Sequence, residues 1–383
     1  MPVWHLGQPL FGAGQGAEPA PTVWNLEHSH LLDCMPEHAI PITFTSPDQT
    51  IASARTSDGF VDDTTNWTNL SLQVATLLGD DPTTLAKQIQ DSAQWWEELL
   101  SAAGGKLELD KCFFCVVVWT FDHEGSPRLR TCTELEDIEV ELLSSITGDI
   151  ERIQQRDCHK HHRTLGVHES PSLDPSFEKD RLRNRIDSLV QAIRPAKLNP
   201  HEMWVFCRSV HQKSVGCSAP VADSTEQEWT TLECPVRTTV LNGLGCSRTT
   251  EKSVVCSPMS SGGVGLTHGF VEQGIQHILS LQTHLRLQGP AQQLLRTTLL
   301  WWQHVSGLSV SILERPDVPL PHLPGPLIHT IRSFLDACGC HTILADSIAT
   351  TPLREHDISL MDHATLHSHH TSTEIKADRK SVV

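Results

Sequence analysis

The chain has 383 residues, 38% of them hydrophobic, enough to bury more than one core. Lys and Arg number 29 against 46 Asp and Glu, a net charge of −17, which excludes a protein whose whole surface embraces nucleic acid. No window approaches the roughly 18 consecutive apolar residues of a membrane-spanning helix, which predicts no membrane association. The first residues carry no basic segment leading into an apolar one, so the twelve cysteines read as reduced thiols of an intracellular, cytoplasmic or nuclear protein.

The charge is unevenly spread. Residues 1–110 hold only Arg55, Lys87 and Lys106 against fifteen acids, whereas 151–200 hold ten Lys and Arg against seven, so a phosphate backbone would be met in the second stretch. After Pro21 a helix is expected, with Trp24, Leu31, Leu32 and Met35 on one face until Pro36 ends it, then a loop through Pro41 and Pro47. Asp58 to Thr65 predicts a tight turn between short strands. From Thr83, Leu85, Ile89, Ala93, Trp96 and Leu100 recur at helical spacing until Gly104-Gly105 stops the helix. Lys106 to Lys111 alternates polar and apolar residues, and Phe113 to Trp119 predicts a continuous buried strand. Asp174-Pro175 starts a helix whose stripe is Leu182, Ile186, Leu189, Val190 and Ile193, flanked by Arg181, Arg183 and Arg185. Helices follow near 270–288, 290–305 and 325–337, and the polar, His-rich stretch 351–383 is expected to be a disordered tail.

Phe60-Val61-Asp62-Asp63 carries the most chemistry. Adjacent carboxylates on a hairpin tip can hold Mg²⁺, although an Asp pair in a turn is most often a solvated turn. Other stretches widen the pattern. Gly14-Gln15-Gly16-Ala17-Glu18-Pro19-Ala20-Pro21 and the helix after it resemble motif B of retroelement (non-LTR-like) reverse transcriptases, and Phe60 to Asp63 resembles their motif C. The run from Gly104 to Cys112 is similar to motif D, His162-Arg163-Thr164-Leu165-Gly166-Val167 to motif E, and Gly262-Gly263-Val264-Gly265-Leu266 to a block found beyond the thumb.

The resemblance implies an α+β fold: a partial right-hand polymerase palm with an antiparallel sheet and helices over 1–150, a motif E hairpin and thumb start over 151–200, and a helical thumb and C-terminal region over 201–350. It implies an RNA-directed DNA polymerase with an RNA template, a DNA primer and Mg²⁺ held by Asp62 and Asp63. Lys111 would protonate the leaving pyrophosphate, and Gly14, Gln15, Gly16 and Phe60 would contact nucleotide and template. Leu165 and Gly166 would grip the primer, and Arg163, Arg181, Arg183 and Arg185 would hold the nucleic-acid backbone.

Two departures bear on activity. No Asp precedes Asp33, so the motif A aspartate that completes the family's metal site is not in this chain, which is expected to be an N-terminally truncated fragment inactive on its own. Ala20-Pro21 stands where the family commonly has Ser-Pro. Tyrosine is absent while histidine reaches 23, a balance expected of a decaying copy. The alternative is a non-catalytic relic or thumb-like nucleic-acid-binding module.

Other patterns are weaker. Gly12, Gly14 and Ala17 satisfy a dinucleotide fingerprint with Asp33 downstream, but Pro9 interrupts the strand it requires. Cys158-His159-Lys160-His161-His162 and Cys338-Gly339-Cys340-His341 lack paired zinc-ligand spacing, so core-packed or solvated clusters are expected there. Trp95-Trp96 and Trp301-Trp302 fall in apolar helical stripes, which predicts core positions.

Overall fold

A computed structural model describes residues 20–60, 63–69, 82–123, 126–135, 138–164, 166–308, 310–320, 323 and 325–344. Among them the chain is a mixed α/β protein in which helices outweigh several small sheets. It divides into two units, Met1–Thr45 with Ala52–Lys160 and Ser46–Ile51 with His161–Val383, so the 151–200 stretch is shared between them. Among the described residues no helix is long and apolar enough to cross a membrane.

In the first unit, α1 (Ala20–Cys34) runs into a short 3₁₀ turn whose Met35 is fully buried. Two antiparallel ribbons follow, β1 (Ile42–Thr45) with β2 (Ala52–Arg55), then β3 (Ser57–Phe60) with β4 (Asp63–Asn66). Helix α2 (Pro82–Ala102) ends at Gly104, whose φ of +85° suits the left-handed residue that closes many helices. Its Leu85, Ile89 and Ala93 pack on Val140, Leu142 and Ile153 of a three-stranded sheet, and its Trp95 and Trp96 pack with Met35 and Leu31. That sheet has the order β5 (Phe113–Cys115), β9 (Ile150–Arg156), β8 (Val140–Leu143), beside a separate ribbon of β6 (Trp119–Phe121) and β7 (Pro127–Leu129).

Strand β8 is an edge strand, and an edge leaves peptide groups without partners. Helix α2 supplies them. Gln90 accepts from Glu141 N at 2.7 Å and donates to Glu141 O, while Gln94 accepts from Leu143 N at 2.9 Å and donates to Leu143 O at 3.1 Å. One turn on, Glu97 accepts from Ser145 N at 2.9 Å.

Several expectations are corrected here. The sheet is not wholly antiparallel, because β5 runs parallel to β9. The run from Phe113 to Trp119 is not one buried strand. It breaks after Cys115, and Trp119 and Phe121 are exposed on a short ribbon that offers no second layer to cover them. Lys106 to Lys111 forms coil and a 3₁₀ turn (Leu109–Lys111), since a three-strand sheet leaves that alternation unpaired. The stretch between Pro41 and Pro47 contains β1. The expected tail 351–383 lies outside the described residues.

The second unit opens with the ribbon β10 (His162–Thr164) and β11 (Val167–Glu169) and continues through helices. Helix α3 (Ser176–Ile193) buries Leu182, Ile186, Val190 and Ile193, as its stripe predicts. Asp174 accepts from Ser176 N at 3.0 Å at its start. Around it stand α4 (Pro200–Phe206), a π turn (Cys207–His211), α5 (Gln212–Ala222), α6 (Glu226–Gly243) and α7 (Lys252–Cys256). Helix α8 (Gly269–Arg286) joins this core to a second one formed with α9 (Pro290–Ser306), Leu308, Ile312, Leu313, Val318, Leu320, Leu323 and α10 (Pro326–Ala337). Gln273 fixes the first core: its Oε1 accepts from Trp229 Nε1 at 2.9 Å and from Ser224 N at 3.0 Å, deep inside. Burying Trp229 completely is worth about 3 kcal/mol. Trp301 is a further correction: it is 46% exposed, and only Trp302 packs on the second core.

Candidate functional site

Asp63 of the Asp pair opens the second strand of an antiparallel ribbon. Phe60 at the end of β3 pairs with Asp63 at the start of β4, and Val61 and Asp62 between them lie outside the described residues. In an antiparallel ribbon, partners share a face and successive pairs alternate. Gly59 and Thr64 therefore face one side, and Asp63, Asp58 and Thr65 the other.

Helix α1 packs on the Gly59 side. His28, 4% exposed, lies with Nε2 at 3.0 Å from Thr64 Oγ1, and burial lowers its pKa, which favours the neutral ring. The ring reaches so close that a Cβ on Gly59 would meet His28 Cε1 at 2.3 Å, so glycine is what lets the helix approach. Asp63 is exposed on the opposite side. Its neighbour there, Asp58, is taken up by an ion pair with Arg55 and a bond from Trp67 Nε1 at 2.8 Å.

Lys111 closes the 3₁₀ turn before β5 and is exposed; its ammonium has no hydrogen-bond or ion-pair partner among the described residues. Gly14, Gln15 and Gly16 lie outside the described residues, as do Gly12 and Ala17 of the dinucleotide pattern.

The second group of site residues forms a different cluster. Thr164 pairs with Val167, and Gly166 just before it takes φ +91°, a left-handed conformation that glycine adopts without strain. Leu165 lies outside the described residues. Arg163 projects from β10 opposite His168 and is exposed. Glu178, in the first turn of α3 and fully buried, accepts from His168 N at 3.1 Å and from Arg181 Nε at 2.8 Å. Burial pushes its pKa up, but the bonds from Arg181, Ser218 and His168 outweigh it and hold the carboxyl below the ordinary range. Arg181 also donates to Ser218 Oγ of α5 at 2.9 Å. Arg181 is thus part of the scaffold that ties hairpin, α3 and α5 together. Arg183 pairs with Asp180 in the open, and Arg185 is exposed. The 262–266 block forms the loop before α8, with Leu266 buried.

Sequence reading missed Glu178. Its only signal is the Glu-x-x-Arg spacing, which ordinarily marks a solvated helix pair. It also missed how the Cys158-His159 stretch folds, with Asp157, Cys158 and His159 gathered into one group of potential metal ligands. Comparison of the chain with protein families, characterised proteins and solved structures yields no match.

Proposed function

We propose that this chain is a reverse transcriptase-like segment of a retroelement, carrying part of the palm and a helical thumb. The observation that supports it is the β3–β4 ribbon, in which Phe60 pairs with Asp63, α1 is held against the Gly59 face and Asp63 is turned to the solvent on the other. Asp63 so placed leaves its carboxylate open to solvent and keeps its back to the packing helix. The resemblance in motifs B, D and E, in order along the chain, supports the same reading.

Asp62 and Asp63 are hard oxygen donors and suit one Mg²⁺, which when bound supplies charge to activate a primer hydroxyl and neutralise a leaving pyrophosphate. A pair of ions needs a further carboxylate, and Asp58, on the same face, is already held by Arg55 and Trp67. The hairpin residues therefore fit a single ion. Lys111 offers an exposed ammonium for the departing group, and Arg163, Arg183 and Arg185 offer positive charge to a duplex backbone. Primer extension by this chain alone is expected to fail.

Two measurements test the reading. Fluorescence anisotropy with an RNA–DNA hybrid across a salt series should give affinity that falls with salt, and Ala at Arg163, Arg183 and Arg185 together should reduce the logarithmic slope by about 2–3. Terbium luminescence should report an ion displaced by Mg²⁺ and lost in Asp63→Asn. Salt-independent hybrid binding, or a terbium signal unchanged in the variant, sinks the proposal.

A second reading, a thumb-like binding module without catalysis, is favoured by the second unit's possession of its own two cores. Hybrid binding that persists with no ion at the hairpin selects it.

A further inference from the structure

The turn that follows β9 brings chemically distinct donors to one place. A carboxylate oxygen of Asp157, Sγ of Cys158 and a ring nitrogen of His159 all lie within 4.8 Å of one another. Cys158 is 1% exposed, an unusual burial for a thiol beside a carboxylate. The group is held from the other side by the chain leaving β7: Asp157 Oδ2 accepts from Cys132 N at 2.7 Å, and the Cys132 thiol bonds the same carboxylate. Asp157 Oδ1 accepts from His159 N at 2.8 Å, which closes the turn tightly enough for three consecutive residues to converge. Three donors thus converge on one point, and the Cys132 thiol reaches the same Asp157 carboxylate from a second chain segment.

We propose that Cys132, Asp157, Cys158 and His159 form a zinc site that staples the end of β7 to the end of β9. Two thiolates and an imidazole are soft and borderline donors, the set that selects zinc over magnesium or calcium. Zinc bonds of about 2.0–2.3 Å in a tetrahedron separate neighbouring ligands by about 3.3–3.8 Å, so Asp157, Cys158 and His159 need close by only about 1 Å, with the Cys132 thiol turning from the carboxylate to the ion as the fourth ligand. Side-chain rotation achieves this without moving either strand. His159 Nε2 lies 3.4 Å from Leu129 O, so metal on Nδ1 leaves that bond in place to fix the ring, as second-shell carbonyls do in zinc sites. With four protein ligands and no open position, the ion is structural. The inference stands apart from the polymerase reading, since none of these residues belongs to the hairpin or the cationic cluster.

The test is metal content of the full-length chain, purified without a histidine tag from zinc-supplemented medium and dialysed against a weak chelator. One zinc per chain is expected. Replacement by Co²⁺ should give a tetrahedral visible spectrum with a near-ultraviolet thiolate band. Cys132→Ser, at a half-buried position that tolerates the change, should roughly halve that band, and Cys158→Ser should abolish stoichiometric binding. Ala at His363, His367, His369 and His370 together should leave both unchanged. Zinc well below one per chain in the parent, an octahedral cobalt spectrum, or binding that survives Cys132→Ser and Cys158→Ser but is lost with the four histidines overturns the assignment.

Discussion

Replacing Arg181 with Ala should loosen the β10–β11 hairpin far more than a surface arginine would. Glu178 is fully buried and Arg181 is 37% exposed, so the change strands a carboxylate in the interior while removing a partner that solvent already screens. Breaking a fully buried pair costs roughly 3–5 kcal/mol. Discounted for the open side of the guanidinium, the expected loss is about 2–3 kcal/mol, or about a 30- to 150-fold rise in local opening. Hydrogen exchange is the assay, because His168 N donates directly to Glu178 and its protection reports the hairpin itself.

The pH dependence gives the sign. The folded carboxyl of Glu178 is held below its ordinary value, so its contribution is fully present above about pH 4.5 and is lost as pH falls through the folded value. The difference between parent and Arg181→Ala should therefore be large at pH 7 and shrink in acid. Equal His168 protection in the two proteins at pH 7, or a difference that does not change down to pH 3, refutes the reasoning.

Gly59→Ala places a methyl into the His28 ring and should cost about 1–3 kcal/mol in a thermal melt followed by the fluorescence of Trp96, whose ring centre is 5.8 Å from that of His28; adding His28→Ala should recover part of it, and an additive pair would show no contact. Burial raises Glu233 to about 7, so its contribution is intact below about pH 4.5 and declines as pH rises through 7; Glu233→Gln, which keeps the bond from Gly269 N, should be about 2–3 kcal/mol more stable than the parent at pH 8 and equal to it at pH 4 by urea unfolding. His211 is buried with neither ring nitrogen hydrogen-bonded, and burial lowers its pKa to about 4, so stability should fall as pH drops from about 6.5 to 4, and His211→Phe should flatten that part of the profile. A profile as steep in His211→Phe as in the parent counts against it.

The helices were legible because their signals are local. The stripe from Leu85 to Leu100 and the stop at Gly104 give α2 almost to the residue, and Leu182 to Ile193 give α3. The ribbon of β3 and β4 was legible for the same reason, since Gly59 and the paired Asp crowd within a few residues, whereas a hairpin at Leu165-Gly166 was expected only from the resemblance to motif E. What failed depends on partners far along the chain. The parallel pairing of β5 with β9 joins Phe113 to Gln154, and no pattern around Phe113 announces it. Trp119 looked like core because apolar runs usually are, but covering it requires a second layer that the β6–β7 ribbon does not meet. At the candidate site, composition and spacing could single out Asp63 and the arginines. They could not say that Arg181 faces a buried acid, because the burial of Glu178 comes from α5 and β11.

The glutamines of α2 have a further consequence. A side-chain amide presents the same donor and acceptor as a peptide, so Gln90 and Gln94, one helical turn apart, act as two links of an imitation strand laid along β8. Whatever would extend the sheet on that side must first displace four bonds, and a polypeptide arriving from solution has nothing there to copy. Asparagine, a carbon shorter, could not span the gap. Two residues of ordinary polarity thereby stop the growth of the sheet, and a single shortening at either one would reopen it to strangers.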